Sequence, residues 1–136
     1  KSGHWDEDLN NIENVYLKDG EFLVVLSENK IIGMGALRRI SDKIAEIKRM
    51  RICPDFQRKG LAQTIYNMLE KRAIELGYKI LKLDTTIKQI GAQKLYQKNG
   101  FAEVISSTPQ TYFFLRRNAL FFSFFPILGC ALKKML

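Results

Sequence analysis

A chain of 136 residues and 15.7 kDa has room for one domain. Apolar residues make up 46% and charged residues 26%, ordinary globular proportions that exclude wholesale disorder and collagen-like repeats. The two cysteines, Cys53 and Cys130, match no zinc spacing and argue against a disulfide scaffold or a metal site, which suits a reducing, cytoplasmic setting. The net charge of +8 is uneven: −3 over residues 1–47 and +11 over 48–136. A chain acidic in one half and basic in the other suits an anionic ligand on one half and a cationic one on the other, and equally a solvated pattern with no partner. The start at Lys1 has no methionine and resembles no signal peptide, which leaves room for an upstream segment.

In chain order, residues 5–17 are polar with scattered Leu9, Ile12, Val15 and Tyr16, compatible with a helix end or an irregular turn. Asp19-Gly20 marks a turn, and the apolar runs 22–26 and 31–37 around a polar loop predict two antiparallel strands. Residues 44–53 alternate, with Ile44, Glu46, Lys48, Met50 and Ile52 facing one way and Ala45, Ile47, Arg49, Arg51 and Cys53 the other. Pro54 ends that third strand. From 61 to 76 the period becomes helical, with an apolar stripe of Ala62, Ile65, Tyr66, Leu69, Ala73 and Leu76, and Gly77 is its stop. A short strand at 79–84, a helix at 89–98 closed by Asn99-Gly100, and a hairpin of 101–107 with 111–117 complete an α/β domain on a mixed sheet.

The strongest local signal is Pro54-Asp55-Phe56-Gln57-Arg58-Lys59-Gly60-Leu61-Ala62, where strand passes into helix. Gly60 permits close backbone approach or a turn closed to other residues. The first turn of a helix presents unpaired N–H groups at its positive end, and Arg58 and Lys59 add cations there, so phosphate suits the place. A basic helix-initiating loop with no ligand fits these residues equally well.

Gln57-Arg58-Lys59-Gly60-Leu61-Ala62 resembles the Gln/Arg-x-x-Gly-x-Gly/Ala signature of the GNAT superfamily of acyl-CoA-dependent N-acyltransferases. Residues 45–54 look like that family's central strand, and residues 92–101 like its Ala-x-x-Leu-Tyr-x-Lys-x-Gly-Phe motif, so the resemblance covers about residues 20–120. It implies a mixed, mostly antiparallel sheet, splayed at the cofactor site and flanked by helices, here without the usual first strand and helix. It implies that the backbone of Arg51, Ile52 and Cys53 pairs with the pantetheine arm of acetyl-CoA. It implies too that Gln57, Arg58, Lys59, Gly60, Leu61, Ala62 and Gln63 wrap its pyrophosphate. Gln89 stands where many members have an asparagine that contacts the cofactor, and its longer stem is a departure. The resemblance makes Tyr96 the general acid that protonates the departing thiolate, against the plain reading of a core aromatic on an amphipathic helix. Glu46, eleven residues before Gln57, becomes the general base, directly or through water, against a surface glutamate paired with Lys48 or Arg49.

On the acceptor side, Trp5, Asp6, Glu7 and Asp8 lie where the family shapes its pocket, and their charge would attract an amine; a solvated helix end fits them as well. His4 and Arg38-Arg39 read as exposed, and Cys53 as packing. The domain is expected over 1–120, followed by an apolar tail at 121–136. Its stretch 119–132 is 14 residues with Pro126 and Gly129, short of the roughly 20 that a membrane span needs. The tail is expected to pack on the sheet edge or in a homodimer, ahead of an interfacial membrane anchor or an aberrant C-terminus. The leading function is transfer of acetyl from acetyl-CoA to a primary amine in a ternary complex, with no metal. A non-catalytic acyl-CoA-binding or regulatory domain is the second reading. A nucleic-acid module is disfavoured, because aromatics do not interleave with the bases on any one strand.

Overall fold

The computed structural model describes residues 4–104, 111–117 and 132–134, with side chains within 6–104. A 3-10 helix at His4–Asn11 and a π-helical turn at Glu13–Leu17 precede β1 (Glu21–Ser27), β2 (Lys30–Arg39) and β3 (Ile44–Ile52). After a 3-10 turn at Pro54–Phe56 come α1 (Leu61–Glu75), β4 (Ile80–Thr86), α2 (Ile90–Lys98), β5 (Ala102–Val104), β6 (Thr111–Arg117) and β7 (Leu132–Lys134). They form one sheet in the order β5-β6-β4-β3-β2-β1-β7, in which only β3 and β4 run parallel. This is the mixed, mostly antiparallel architecture expected from the sequence.

The continuous apolar run of β1 reflects a sheet covered on both faces. Leu23 and Val25 join the larger core with Ile65, Tyr66 and Leu69 of α1 and Tyr96 of α2. Phe22 and Val24 join a second core with Tyr16 and Ala36, against which Leu9, Ile12 and Val15 pack. The segment 9–17 is therefore a packed cover over the second face. Glu28 and Asn29, at φ 48° and 63°, make the two-residue turn between β1 and β2, the geometry whose twist matches paired strands.

Strand β3 departs from simple alternation. Met34 pairs with Arg51 and Ala36 with Lys48, so Arg49 and Met50 together oppose Gly35, and Arg49 has φ 60°. This β-bulge inserts one residue and reverses the parity of everything after it. Met50 and Ile52 therefore pack into the larger core beside Ala45 and Ile47, not with Ile44, Glu46 and Lys48 as strict alternation has it. Beside the bulge, β3 and β4 pair only at Ile44↔Ile80, Ala45↔Leu81 and Glu46↔Lys82 before their pairing ends.

Of the tail at 121–136, Leu132–Lys134 is antiparallel to β1, at Leu23↔Lys134 through Val25↔Leu132, and so lies in the same sheet as the domain. Residues 118–131 and 105–110, which hold Cys130, the tail phenylalanines and the Pro109-Gln110 turn, lie outside the described residues, as do the side chains of His4 and Trp5. No helix among the described residues is long and apolar enough to cross a membrane.

Gly35 is required by the closeness of α1 to the bulge. A Cβ there would stand 2.5 Å from Ile65 Cγ2 and 2.6 Å from Met50 Sδ. Gly35→Ala should therefore destabilise the domain by about 1–3 kcal/mol in urea unfolding, through overpacking against a stiff β-branched neighbour.

Candidate active site

Two cavities meet between β3, β4 and the N-termini of α1 and α2. The larger, of 660 Å³, is lined by Met50, Ile52, Gln57, Arg58, Gly60 to Gln63, Lys88 to Ala92, Leu95, Tyr96 and Lys98, with Phe56 at its side. Its charged lining residues, Arg58, Lys88 and Lys98, are all cations. The smaller, of 320 Å³, is lined by Ile47, Lys48, Arg49, Met50, Arg51, Asp84, Thr85, Gln89, Ala92 and Tyr96. Met50, Gln89, Ala92 and Tyr96 belong to both and mark the junction.

The α1 end of the larger cavity is a set of backbone donors. Arg58 and Gly60 both take left-handed φ, 59° and 84°, which turns the chain sharply into α1. The first helical bond runs from Thr64 N to Gly60 O at 3.1 Å, so the amides of Leu61, Ala62 and Gln63 have no backbone acceptor among the described residues. The position of a Gly60 Cβ is open space. Gln57 Nε2 donates to the Ile52 carbonyl at 3.0 Å, on the edge of β3 away from β2.

The residues singled out from sequence divide accordingly. Ile52, Gln57, Arg58, Gly60, Leu61, Ala62, Gln63 and Gln89 line the larger cavity. Arg51 lines the smaller one. Cys53 lines neither: its N–H donates to Ile32 O at 2.8 Å, committing that amide to the sheet, and its thiol is exposed. Lys59 also stands aside, with Nζ 5.4 Å from the centre of the Phe56 ring. Gln89 Oε1 accepts from Thr85 Oγ1 at 2.6 Å while the side chain still borders both cavities.

Tyr96 is fixed by the end of its own helix. Gly100, at φ 87°, lets Phe101 N donate to Tyr96 O at 3.0 Å and Gly100 N donate to Gln97 O at 3.1 Å, the double bond of a Schellman cap. The same cap packs Phe101 edge-on against Tyr96, with ring centres 5.6 Å apart. Burial first, and then the Asp84 carboxylate, push the Tyr96 phenol well above its usual value, so it stays protonated through the neutral range. Gln63 and Asn99 exchange two side-chain hydrogen bonds at 2.9 Å, tying the first turn of α1 to the end of α2. Nothing in the sequence pattern pointed to that clamp.

Glu46 is 7% exposed and bonded to Arg38 Nη2 at 2.7 Å. Its partner is thus the cross-strand Arg38, not Lys48 or Arg49, and it lines neither cavity. Asp84, which the sequence reading passed over, lines the smaller cavity beside Tyr96. The alternation of Leu81, Leu83 and Thr85 inward against Lys82 and Asp84 outward was the signal for it.

Asp6 and Asp8 are not free to attract an amine. Arg49, on the bulge, donates from Nη1 to Asp6 at 2.7 Å, from Nε to Asp8 at 3.0 Å, and from Nη2 to the other Asp8 oxygen. Tyr16 donates its hydroxyl to Asp8 as well. Burial alone would raise the Asp8 carboxyl, but the hydrogen bonds from Arg49 and Tyr16 outweigh it and hold it below its ordinary value. Burial and Asp8 together push Tyr16 up to about 12. A carboxylate lowered by folding stabilises the folded state above its unfolded value of 3.8 and loses that contribution as pH falls through the lowered value. Wild type should thus exceed Asp8→Asn by about 1–2 kcal/mol near neutrality, and the two should converge in acid, as thermal melts across pH will read.

Residues 2–101 match the model of the acetyltransferase (GNAT) family. The N-acetylaspartate synthetase of Xenopus tropicalis is 32% identical over 100 residues, which is 71% of this chain and 37% of that protein. The uncharacterized N-acetyltransferase YjgM of Escherichia coli (strain K12) is 30% identical over 103 residues, 73% of this chain and 62% of that protein. The chain thus spans less than two thirds of the length of these relatives. Among solved structures, an acetyltransferase from Streptococcus agalactiae 2603 superposes with a TM-score of 0.76 at 23% identity, covering 83% of this chain and 76% of that one. A GNAT-family acetyltransferase from Staphylococcus aureus Mu50 superposes at 0.75 and 26% identity, covering 82% and 77%. A GNAT-family acetyltransferase from Elizabethkingia anophelis with acetyl-CoA bound superposes at 0.64 and 21%, covering 84% of each. By sequence and by fold together, the chain belongs to the GNAT acetyltransferase family.

Proposed function

We propose that the protein is an N-acetyltransferase that moves an acetyl group from acetyl-CoA to a primary amine by direct attack. The observation that carries this reading is the meeting of a cation-lined cleft and a smaller cavity at Tyr96. The pyrophosphate of CoA lies against the open amides of α1 with Arg58 and Gly60, where hydrogen-bond donors and positive charge coincide. The pantetheine arm runs past Ile52 along the free edge of β3, and the thioester reaches Tyr96.

The amine must be neutral to attack. As its nitrogen bonds to the thioester carbon, the C–S bond breaks and the electron pair leaves with sulfur. The Tyr96 phenol, which is protonated through the neutral range, gives its proton to the sulfur as the C–S bond breaks and regains one from solvent. The proton lost by the amine passes through water to a carboxylate. Asp84 lines the cavity, whereas Glu46, the base named from sequence, is held by Arg38, so Asp84 is the better placed of the two.

Two variants test this reading. Gly60→Glu adds a carboxylate at the pyrophosphate site on a backbone at φ 84°, and calorimetry should show acetyl-CoA affinity falling by roughly 10-fold or more. Tyr96→Phe keeps the ring packing on Phe101 and should lower kcat by roughly 100-fold with little change in acetyl-CoA binding. Tight acetyl-CoA binding without turnover of any amine would instead make the chain a binding domain.

A further inference from the structure

Gln89 carries an unused hydrogen-bond donor at the junction of the two cavities. A primary amide offers an oxygen that accepts and an NH2 that donates, and which end meets a ligand depends on what holds the other. Gln89 Oε1 accepts from the Thr85 hydroxyl at 2.6 Å and from the Thr86 backbone N–H at 3.4 Å. A backbone N–H only donates, so the end of the amide turned to β4 is the oxygen, and the Thr85 hydroxyl donates to it as well. Nε2 is the end left over, and it has no acceptor among the described residues. The main chain at Gln89 is fixed too. Its N–H donates to Thr86 O at 3.0 Å, its carbonyl accepts from Gln93 N at 3.0 Å, and Gln93 Nε2 donates to Thr86 O at 2.9 Å. Thr85 itself is 4% exposed, on the same inward face of β4 as Leu81 and Leu83, so its hydroxyl is carried by a packed strand.

We infer that Thr85 is a positioning residue: it holds the Gln89 amide so that Nε2 donates a hydrogen bond to the thioester carbonyl of acetyl-CoA. The inference rests on the acetyltransferase reading above, which brings the thioester to Tyr96. Gln89 lines both cavities there, together with Met50, Ala92 and Tyr96. A carbonyl oxygen only accepts, so it complements the NH2 end of the amide and not the oxygen end. As the amine nitrogen bonds to the carbonyl carbon, the C=O electron pair moves onto oxygen, and it returns as the C–S bond breaks. Gln89 transfers no proton in these steps. Its N–H meets more negative charge on that oxygen during attack than before it, so the hydrogen bond strengthens toward the transition state. Tyr96 thus serves the sulfur of the thioester and Gln89 its oxygen. A donor already in place needs no reorganisation when the charge develops, and the Thr85 hydroxyl supplies that fixity. An unheld glutamine side chain would first have to lose its rotamer freedom.

The test needs no acceptor amine. The whole chain is given acetyl-CoA isotope-labelled at the acetyl carbonyl carbon, and difference infrared spectroscopy against the unlabelled cosubstrate reads that one C=O stretch. A donated hydrogen bond weakens the C=O bond and lowers its frequency. The stretch should therefore rise in Gln89→Met, which keeps the side-chain length at an exposed position and loses the donor. It should rise in the same direction, by less, in Thr85→Val, which keeps the shape of Thr85 and loses its hydroxyl, and in Thr85→Ala, a second variant without the hydroxyl. Thr85→Ser should restore the wild-type frequency. Thr85→Val added to Gln89→Met should shift the stretch no further, because Thr85 acts through Gln89. Calorimetry should show acetyl-CoA affinity weakened by roughly 2- to 10-fold in Gln89→Met, the range of one neutral hydrogen bond, and thermal melts check that each variant folds. An unchanged stretch in Gln89→Met would overturn the donor. A shift there with none in Thr85→Val and Thr85→Ala, or a shift in Thr85→Ser as large as theirs, would overturn positioning by Thr85. These outcomes are read with acetyl-CoA bound and leave the acetyltransferase reading standing, whereas no acetyl-CoA binding by folded wild type overturns both.

Discussion

One extra residue in β3 organises the molecule's chemistry. Because Arg49 and Met50 share the single partner position of Gly35, the strand bends and reverses its parity. On one side this keeps Met50 and Ile52 in the core under α1; on the other it aims Arg49 at Asp6 and Asp8. Pairing with β4 ends near the same place, at Glu46↔Lys82, so β3 runs on without that partner strand. Without the insertion, Arg49 would point at α1 as an unpaired charge in an apolar core, which a domain of this size cannot tolerate.

The second constraint is the registry between the two helices. The Schellman cap at Gly100 folds Phe101 back on Tyr96, and Phe101 also meets Tyr66 of α1 with ring centres 5.9 Å apart. The Gln63–Asn99 pair repeats the connection with polar groups. The open amides at the head of α1 and the phenol near the end of α2 are thereby held at a set separation. The proposed transfer from a long cosubstrate needs that: one end is gripped while the reacting bond is presented elsewhere.

Much of this was legible in the sequence, and the reasons are local. The period of α1, the stops at Gly77 and Gly100 and the turn at Glu28-Asn29 are set by neighbours in the chain, so the elements and their order could be read directly. The Gly60 loop was legible for the same reason. The bulge was not, because two opposed residues leave no mark in a run that alternates on paper; it is specified by the packing of Gly35 under α1. Glu46 illustrates the same limit. Its offset from Gln57 can be counted, but that Arg38 lies across from it depends on strand register.

Charge is where sequence and structure part most. Counting acids near the start of the chain suggests a pocket that draws in a cation, since Asp6, Glu7 and Asp8 stand together. Folding spends two of them on Arg49, a residue more than forty positions away. Besides Arg49, the charged residues that line the smaller cavity are Lys48, Arg51 and Asp84. The sign of a site follows from which charges the fold has already matched, and the bulge decides that here.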